Sequence, residues 1–539
     1  MRRLKIKILY LLLIVGFILI ATACSNNEEV VESDTNNGSN AGGDKTVYIG
    51  LVNPPTNLNP INAQGNATEQ MLTIMTDNLV GINSNMTFSQ KLAKTIETTD
   101  NQTFTITLHE NAKWSDGTPF TTKDVKFTMK MVTHPKVTTT FMFNYIEGLN
   151  DSGKLESGTE ISGLEIVNDH TFNITTKYPI DMIFFKDDFA SKIRFLPEHI
   201  LKDAKPEELD KHDYMINPTV TLGAFTLEKY AKDQYLEFSI NKDYYLGVPK
   251  VDKIYVKIMP ASNIVAQLQT GELDMHMEGT ALIPTEDHER ISNLLNVNAE
   301  YSDISFPVHF IINNGNISDE KVRKALFYGI NREMFVKQLL NGNGEIIHGV
   351  LPSAHPYYNK NIEPYPYDPE KAKQLFKEAG WNFDQVINFV VPVGNKTRER
   401  AAELAAENLN SIGLKVNIQK FDFPTTFKKL KEHEFDITVT SIPFRPDPSH
   451  VFNFFRKGFP NDFANYDGPE LDKLIQSTVL EPDTEKRKAI FNEVQELFNN
   501  EAVVFPLYSE FQLHATSKAM KVGKSGYGML DNIYQWEKE

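Results

Sequence analysis

Cysteine is nearly absent: the 539-residue chain has a single one, Cys24, so no disulfide can form within it. Basic runs interleaved with aromatics are missing too, and 55 lysines and arginines face 71 acids for a formal charge of −16. Such a surface repels nucleic acid and anionic headgroups, which excludes nucleic acid as an expected partner. The compact signatures of catalysis are lacking as well. No G-x-S-x-G elbow exposes a serine beside an oxyanion hole. "VGKSGYG" lacks the spacing of a phosphate-binding loop, and "KEHEF" is not H-E-x-x-H. Thirteen histidines are scattered without paired ligand spacing, so no structural zinc, other metal or cofactor is expected.

What is present is ordinary globular material, 41% hydrophobic and 23% charged, at a length that splits into two or three domains. The start, "MRRLKIKILYLLLIVGFILIATAC", has a basic end, an apolar core from Ile8 to Ile20 and small residues up to Cys24, the layout of an export signal. The apolar core is short for a membrane span. Residues 25–45, "SNNEEVVESDTNNGSNAGGDK", are polar, acidic and Gly-rich and predict a disordered tether. The junction resembles a bacterial lipobox, with Ala21 where the pattern prefers Leu, which implies a signal peptide over 1–24 and lipid attachment at Cys24. Two or more acyl chains, at ~0.8 kcal/mol per buried methylene, anchor a protein stably. Losing the four basic residues and no acid of that segment takes the net charge from −16 to −20.

From Thr46 onward, strands and helices alternate. "TVYIGLV" reads as a strand, and "TFTITLH" puts Phe104, Ile106 and Leu108 on one face with Thr103, Thr105 and Thr107 on the other. "YDPEKAKQLFKEAGW" predicts a helix capped by Asp368, with Pro369 first, Gly380 past the end, and Ala372, Leu375, Phe376 and Ala379 as its apolar face. In "NISDEKVRKALFYGINRE" Ser318 is the expected cap. Another helix, "TRERAAELAAENLNSIG", ends at Gly413. The alternation is most regular between about 310 and 505, as in an α/β lobe.

Three stretches carry chemistry-bearing residues. His109, Ser115 and Asp116 are the residue types of a triad, but adjacent Ser and Asp cannot flank a base from two sides. "SDGTP" is turn chemistry, and Thr121 with Asp124 matches a capping box, so a strand, turn and capped helix are expected there, over a packed Trp114. "DMHME" offers Met275, His276 and Met277, soft metal ligands by type, but at strand spacing that puts His276 opposite the methionines. "HPYYNKNIEPYPYDP" sets Tyr357, Tyr358, Tyr365 and Tyr367 among prolines, either lining a cleft or packing on their own helix.

Taken together, "TFTITLHENAKWSDGTPFTTKDVKFT", "TLGAFTLEKY", "NKDYYLGVPKVDKIYVKIMP" with "QLQTGELDM", "INNGNISDEKVRKALFYGINRE", "YDPEKAKQLFKEAGW" and "FANYDGPELDKLI" resemble the family 5 extracellular solute-binding proteins, the peptide/nickel-type receptors of ABC importers. The resemblance implies an α/β, two-lobe periplasmic-binding-protein-like fold with a ligand cleft. It places lobe I at 46–302 plus 507–539, with an extra subdomain inserted at about 78–196, and lobe II at 303–506. It implies no enzyme but a monomeric lipoprotein on the extracytoplasmic face of the cell membrane, which delivers oligopeptides to permease and ATPase subunits. Receptors for nickel or metal chelates and for opines share the fold. A peptide-sensing lipoprotein and an exported hydrolase are the readings outside transport.

In the peptide-binding members an extended ligand pairs its main chain with strips from both lobes. The first strip matches "NAQGNAT", giving Gln64, Gly65 and Asn66. The second matches "TSIPFRPDP", giving Ser441, Ile442, Pro443, Phe444, Arg445 and Asp447. Those members have a Trp in this segment and an aspartate four residues before Pro448 for the ligand amine; here Ser441 and Phe444 stand at those places. Asp447 is then the shifted candidate for the amine, and Arg445 the candidate for a carboxylate.

Overall fold

The computed structural model describes residues 45–156, 160–279, 282–457, 462–523 and 528–539. The export signal, Cys24 and the tether lie outside the described residues. Among the described residues no helix is long and apolar enough to cross a membrane.

Two sheets organise the chain. The first has seven strands in the order 297–301, 513–517, 275–276, 46–51, 253–258, 235–240 and 225–231. Its centre, Thr46–Leu51, runs parallel to 253–258 and 275–276 and is covered on both faces, which is why "TVYIGL" is almost continuously apolar. Gly50 permits this covering, since a Cβ there would lie 2.9 Å from Ile264 and Leu273 side-chain atoms.

The second sheet has six strands in the order 344–345, 504–510, 306–312, 437–440, 386–392 and 415–421. Helix Lys396–Ser411 links the parallel pair 386–392 and 415–421, and helix Phe423–Lys431 leads on to 437–440. Strand Val504–Glu510 pairs with 306–312 through Glu510, so the expected boundary at 506/507 falls inside a strand that stays in the second sheet. The chain crosses between the sheets at 302–305 and returns at 511–512.

A four-stranded antiparallel sheet, ordered 93–97, 103–108, 171–175 and 164–168, lies within the inserted region. Phe104, Ile106 and Leu108 are buried there and the intervening threonines half-buried, as the alternation predicts. The "SDGTP" corner forms as turn chemistry dictates: Gly117 has φ 89°, and Asp116 accepts from the Thr118 N–H at 3.0 Å. The capping box closes helix Thr122–Val132, with Asp124 accepting from the Thr121 N–H at 3.0 Å. Trp114 is packed beneath it, edge-on to Phe120. Ser115 Oγ accepts from the Thr221 N–H and Asp116 bonds His199, so His109, Ser115 and Asp116 form no relay.

Helix Pro369–Glu378 has its Asp368 cap and Gly380 at φ 66°. Helix Glu320–Gly329 is capped by Asp319 rather than Ser318. The Ser318 carbonyl instead accepts from Arg323 (2.7 Å), which also bonds the Ile317 and Glu501 carbonyls and fixes the entry to the helix.

Two outcomes test this packing. Thr121→Ala is expected to lower unfolding free energy by about 1 kcal/mol in urea titrations. His309, fully buried with Nε2 on the Val350 carbonyl (3.2 Å), has its pKa pushed from 6.5 to about 4 by burial. Below pH 6.5 the unfolded chain takes up a proton that the folded chain refuses until about pH 4. The contribution of this histidine is therefore intact above pH 6.5 and falls as pH drops towards 4, by up to about 3 kcal/mol. His309→Gln should flatten that part of the urea-midpoint profile between pH 7 and 4.5.

Candidate functional site

The parallel strands of each sheet end at the edge where the two crossings leave. Strand 504–510 runs in the direction of 437–440, so Glu510 lies at the carboxyl edge of the second sheet. Strand 513–517 is antiparallel to 275–276, so it starts at the carboxyl edge of the first. Open α/β sheets bind ligands at such carboxyl edges, and here two of them face each other across the crossings.

On the first sheet, the segment after Thr46–Leu51 leads into helix Asn66–Met75. Gln64, Gly65 and Asn66 are exposed at its start, and Gly65 holds φ 84° in open space. The Gln64 carbonyl accepts from Thr56 Oγ1 (2.9 Å). One turn into the helix, the Gln70 side chain donates to the carbonyl of Glu278, which follows strand 275–276. Glu278 in turn lies 2.9 Å from His514 Nδ1. Met275, His276 and Met277 are all buried, since both faces of this strand are covered. His276 Nε2 accepts from the Ala515 N–H (3.2 Å) and its ring stacks on His514. Among the described residues no three His, Cys, Asp or Glu side chains are placed to hold a metal ion together.

On the second sheet, Ser441 follows strand 437–440 and its Oγ accepts from Arg398 (2.9 Å), in the first turn of helix Lys396–Ser411. Arg398 Nε is buried without a hydrogen-bond partner. Ile442 and Phe444 point inward, Phe444 against Phe306 and His355, with Pro443 exposed between them. The four tyrosines of the Pro-rich loop do not share a wall. Tyr357 is buried on Phe491 with Tyr358 half-buried against the same apolar cluster, Tyr365 packs on Phe327 and bonds the Asn499 carbonyl, and Tyr367 is exposed.

Arg445 and Asp447 are placed otherwise than expected. Arg445 Nε lies 3.2 and 3.3 Å from the two Asp187 oxygens, and its Nη2 bonds the Asp187 carbonyl and Ser191 Oγ. Burial pushes the Asp187 carboxyl up, with Arg445 opposing. Asp447 is buried against Arg487 and also accepts from Ser449. Arg487 is 3.6 Å from Asp181, which caps helix Met182–Phe185 and accepts from Thr484 Oγ1 at 2.6 Å. Asp181 and Asp187 come from the inserted region beside the first sheet, the arginines from the region of the second. Of the two charged residues expected to meet a ligand, Arg445 ties lobe to lobe through its side chain, while the Asp447 carboxylate stays with Arg487 of its own lobe and its N–H donates to Asp187 (3.4 Å). A further cross-contact joins Thr285 to Thr397 (3.3 Å) and Glu286 to Lys396 (3.7 Å).

Sequence reasoning missed Arg398, Glu510, Gln512 and the His514–Glu278 pair. The available signal was positional: Arg398 opens a helix just after an α/β strand, and Glu510 is a charge ending the otherwise apolar "VVFPLYSE".

Two α/β sheets joined at their carboxyl edges by two short crossings define a bilobed binding protein. The model for "Bacterial extracellular solute-binding proteins, family 5 Middle" matches residues 87–463, and the chain belongs to that family. It is 25% identical to the oligopeptide-binding protein AppA of Bacillus subtilis over 99% of both chains. It is 24% identical to the dipeptide-binding protein DppE of the same organism over 97% of both. In fold it is similar to the B. subtilis AppA structure in complex with a nonapeptide (TM-score 0.78, 21% identity, 92% of this chain and 99% of that one). The same holds for NikZ of Campylobacter jejuni in complex with Ni(L-His) (TM-score 0.78, 22% identity, 92% and 100%).

The lobe-to-lobe contact predicts an asymmetry between its two arginines. Arg487→Ala strands the buried Asp181 and Asp447 and should cost about 3–5 kcal/mol. Arg445→Ala removes a side chain that is 19% exposed and strands one buried carboxylate, Asp187, rather than two, so it should cost less. Melting curves of the two variants check the order.

Proposed function

We propose that this chain is the substrate receptor of an ABC importer, exported, anchored outside the cytoplasmic membrane through an acylated Cys24, and that it captures oligopeptides between its lobes. Family membership and the relatives' own ligands support the peptide reading. The observation that carries the site is Arg398: a half-buried guanidinium at the carboxyl edge of the second sheet, bonded to Ser441, with its Nε unpartnered. A ligand carboxylate supplies the missing acceptor in a charge-assisted bond, assisted by the positive end of helix Lys396–Ser411.

The remaining contacts follow from the two strips. Gln64, Gly65 and Asn66 offer one rim and Ser441, Ile442, Pro443 and Phe444 the other, so main-chain contacts dominate. Each hydrogen bond contributes only about 1 kcal/mol net, without regard to side-chain identity, which suits a receptor of broad sequence tolerance. Pro443 has no N–H and removes one ladder donor. A ligand touching both rims favours the closed arrangement by its differential contacts, and the permease recognises that state. Arg445 and Asp447 act in this reading on closure rather than on the ligand.

Native mass spectrometry of freshly purified protein is expected to show a bound peptide population; a metal chelate in every preparation would contradict the assignment. Arg398→Ala should weaken binding of those eluted peptides more than tenfold, about 1.4 kcal/mol, in calorimetry. Unchanged affinity would remove Arg398 from the site. Cys24→Ala should release the protein from the membrane fraction.

A further inference from the structure

Glu510 is the last residue of strand Val504–Glu510, fixed on both sides by pairing with Phe306 and Gly344. Its carboxylate makes no hydrogen bond or ion pair among the described residues, though the residue is only 9% exposed. Arg398, whose field reaches Glu510, places one N–H on Ser441 and makes no ion pair with Glu510, while the acids Glu345 and Glu278 are held by Ser305 and Ser353 and by His514. Burial pushes the Glu510 carboxyl up, and the field of Arg398 only partly offsets it. A buried, unpaired carboxylate is costly unless something completes it.

Its neighbours on alternate positions of the same segment are in a similar state. Tyr508, on the same strand face, is fully buried with its hydroxyl unpartnered. Gln512, likewise 9% exposed, has Oε1 buried and unpartnered, while its own N–H and carbonyl are held by Ser302 (3.1 and 2.9 Å). Glu510 precedes the return crossing at 511–512 and Gln512 is its second residue. Three side chains within residues 508–512 thus leave an unpaired carboxylate, an amide oxygen and a hydroxyl next to the return crossing. That set is rich in acceptors, and Arg398 is the cation whose field reaches Glu510 and Tyr508 without bonding either.

The geometry points to a primary-ammonium site on the floor of the cleft, with Glu510 as the ionic partner and Gln512 Oε1 and Tyr508 Oη as further acceptors. This inference rests on the peptide reading and sharpens it: the ligand carries a free amine, and that amine meets Glu510 rather than Asp447. An ammonium has three donors for three acceptor groups, and its charge removes the cost of the lone carboxylate. Because the site includes a crossing residue, filling it stiffens the segment that joins the lobes. A peptide N-terminus and a lysine side chain share this chemistry.

The test uses the mature chain freed of ligand and two pools of random tetrapeptides, one with free and one with acetylated N-termini, the retained peptides being identified by mass spectrometry. The wild-type protein should retain the free pool at least tenfold over the acetylated one, and Glu510→Gln should bring the ratio near one without lowering the melting temperature. Retention of acetylated peptides only where they contain lysine, lost in Glu510→Gln, would support the site and identify the amine as a side chain. Equal retention of lysine-free peptides from both pools by the wild type, or an undiminished preference in Glu510→Gln, would overturn the ammonium site and leave peptide capture standing. Retention of neither pool would overturn the peptide reading and this inference with it.

Discussion

Everything in this architecture depends on where the chain crosses between its two sheets. The crossings at 302–305 and 511–512 are short and leave from the carboxyl edges of the parallel strands. Those edges collect the starts of following helices, the loop N–H groups and the side chains that have no place in a sheet interior. Joining two such edges sets Gln64 to Asn66 and Glu278 on one wall, Arg398 and Ser441 on the other, and Glu510 and Gln512 on the floor. Glu510 and Gln512 sit at the return crossing, so the proposed ligand contact and lobe movement share the same few dihedrals.

Charge decides how the walls are held. Two aspartates of the inserted region, Asp181 and Asp187, meet two arginines of the other lobe, Arg487 and Arg445, and Asp447 completes the cluster. Buried pairs of this kind add little net stability over well-packed apolar groups, but breaking one is costly, which makes them selectors of one arrangement. The cleft keeps the opposite condition. Arg398 Nε and the Glu510 carboxylate lack partners where the ligand is proposed to lie, whereas each carboxylate at the contact between lobes has an arginine beside it.

The local layers of this structure were legible in the sequence because their causes are local. The Asp368 cap, the Thr121 and Asp124 box, the "SDGTP" turn and the threonine alternation of 103–108 each rest on neighbours a few residues apart. Ser318 does not cap because the helix starts one residue later, where the Asp319 carboxylate accepts from the Lys321 N–H, while Arg323, anchored to the Glu501 carbonyl across the fold, holds the Ser318 carbonyl. The boundary at 506/507 missed because nothing in "VVFPLYSE" marks which sheet its second half joins; only pairing with 306–312 does. The role of Arg445 was hidden for the same reason, its partner Asp187 lying 258 residues away. The rims around Gln64 and Ser441 came from family resemblance, whereas the floor at Glu510 required the topology of both sheets.

Hydrogen exchange of the stripped protein, with and without the ligands eluted from it, tests the central claim that one cleft between the lobes binds solute through both walls and the floor. Binding should raise protection together in segments 62–70, 275–279, 441–444 and 508–514. Protection confined to one lobe, or appearing outside these segments, would contradict it.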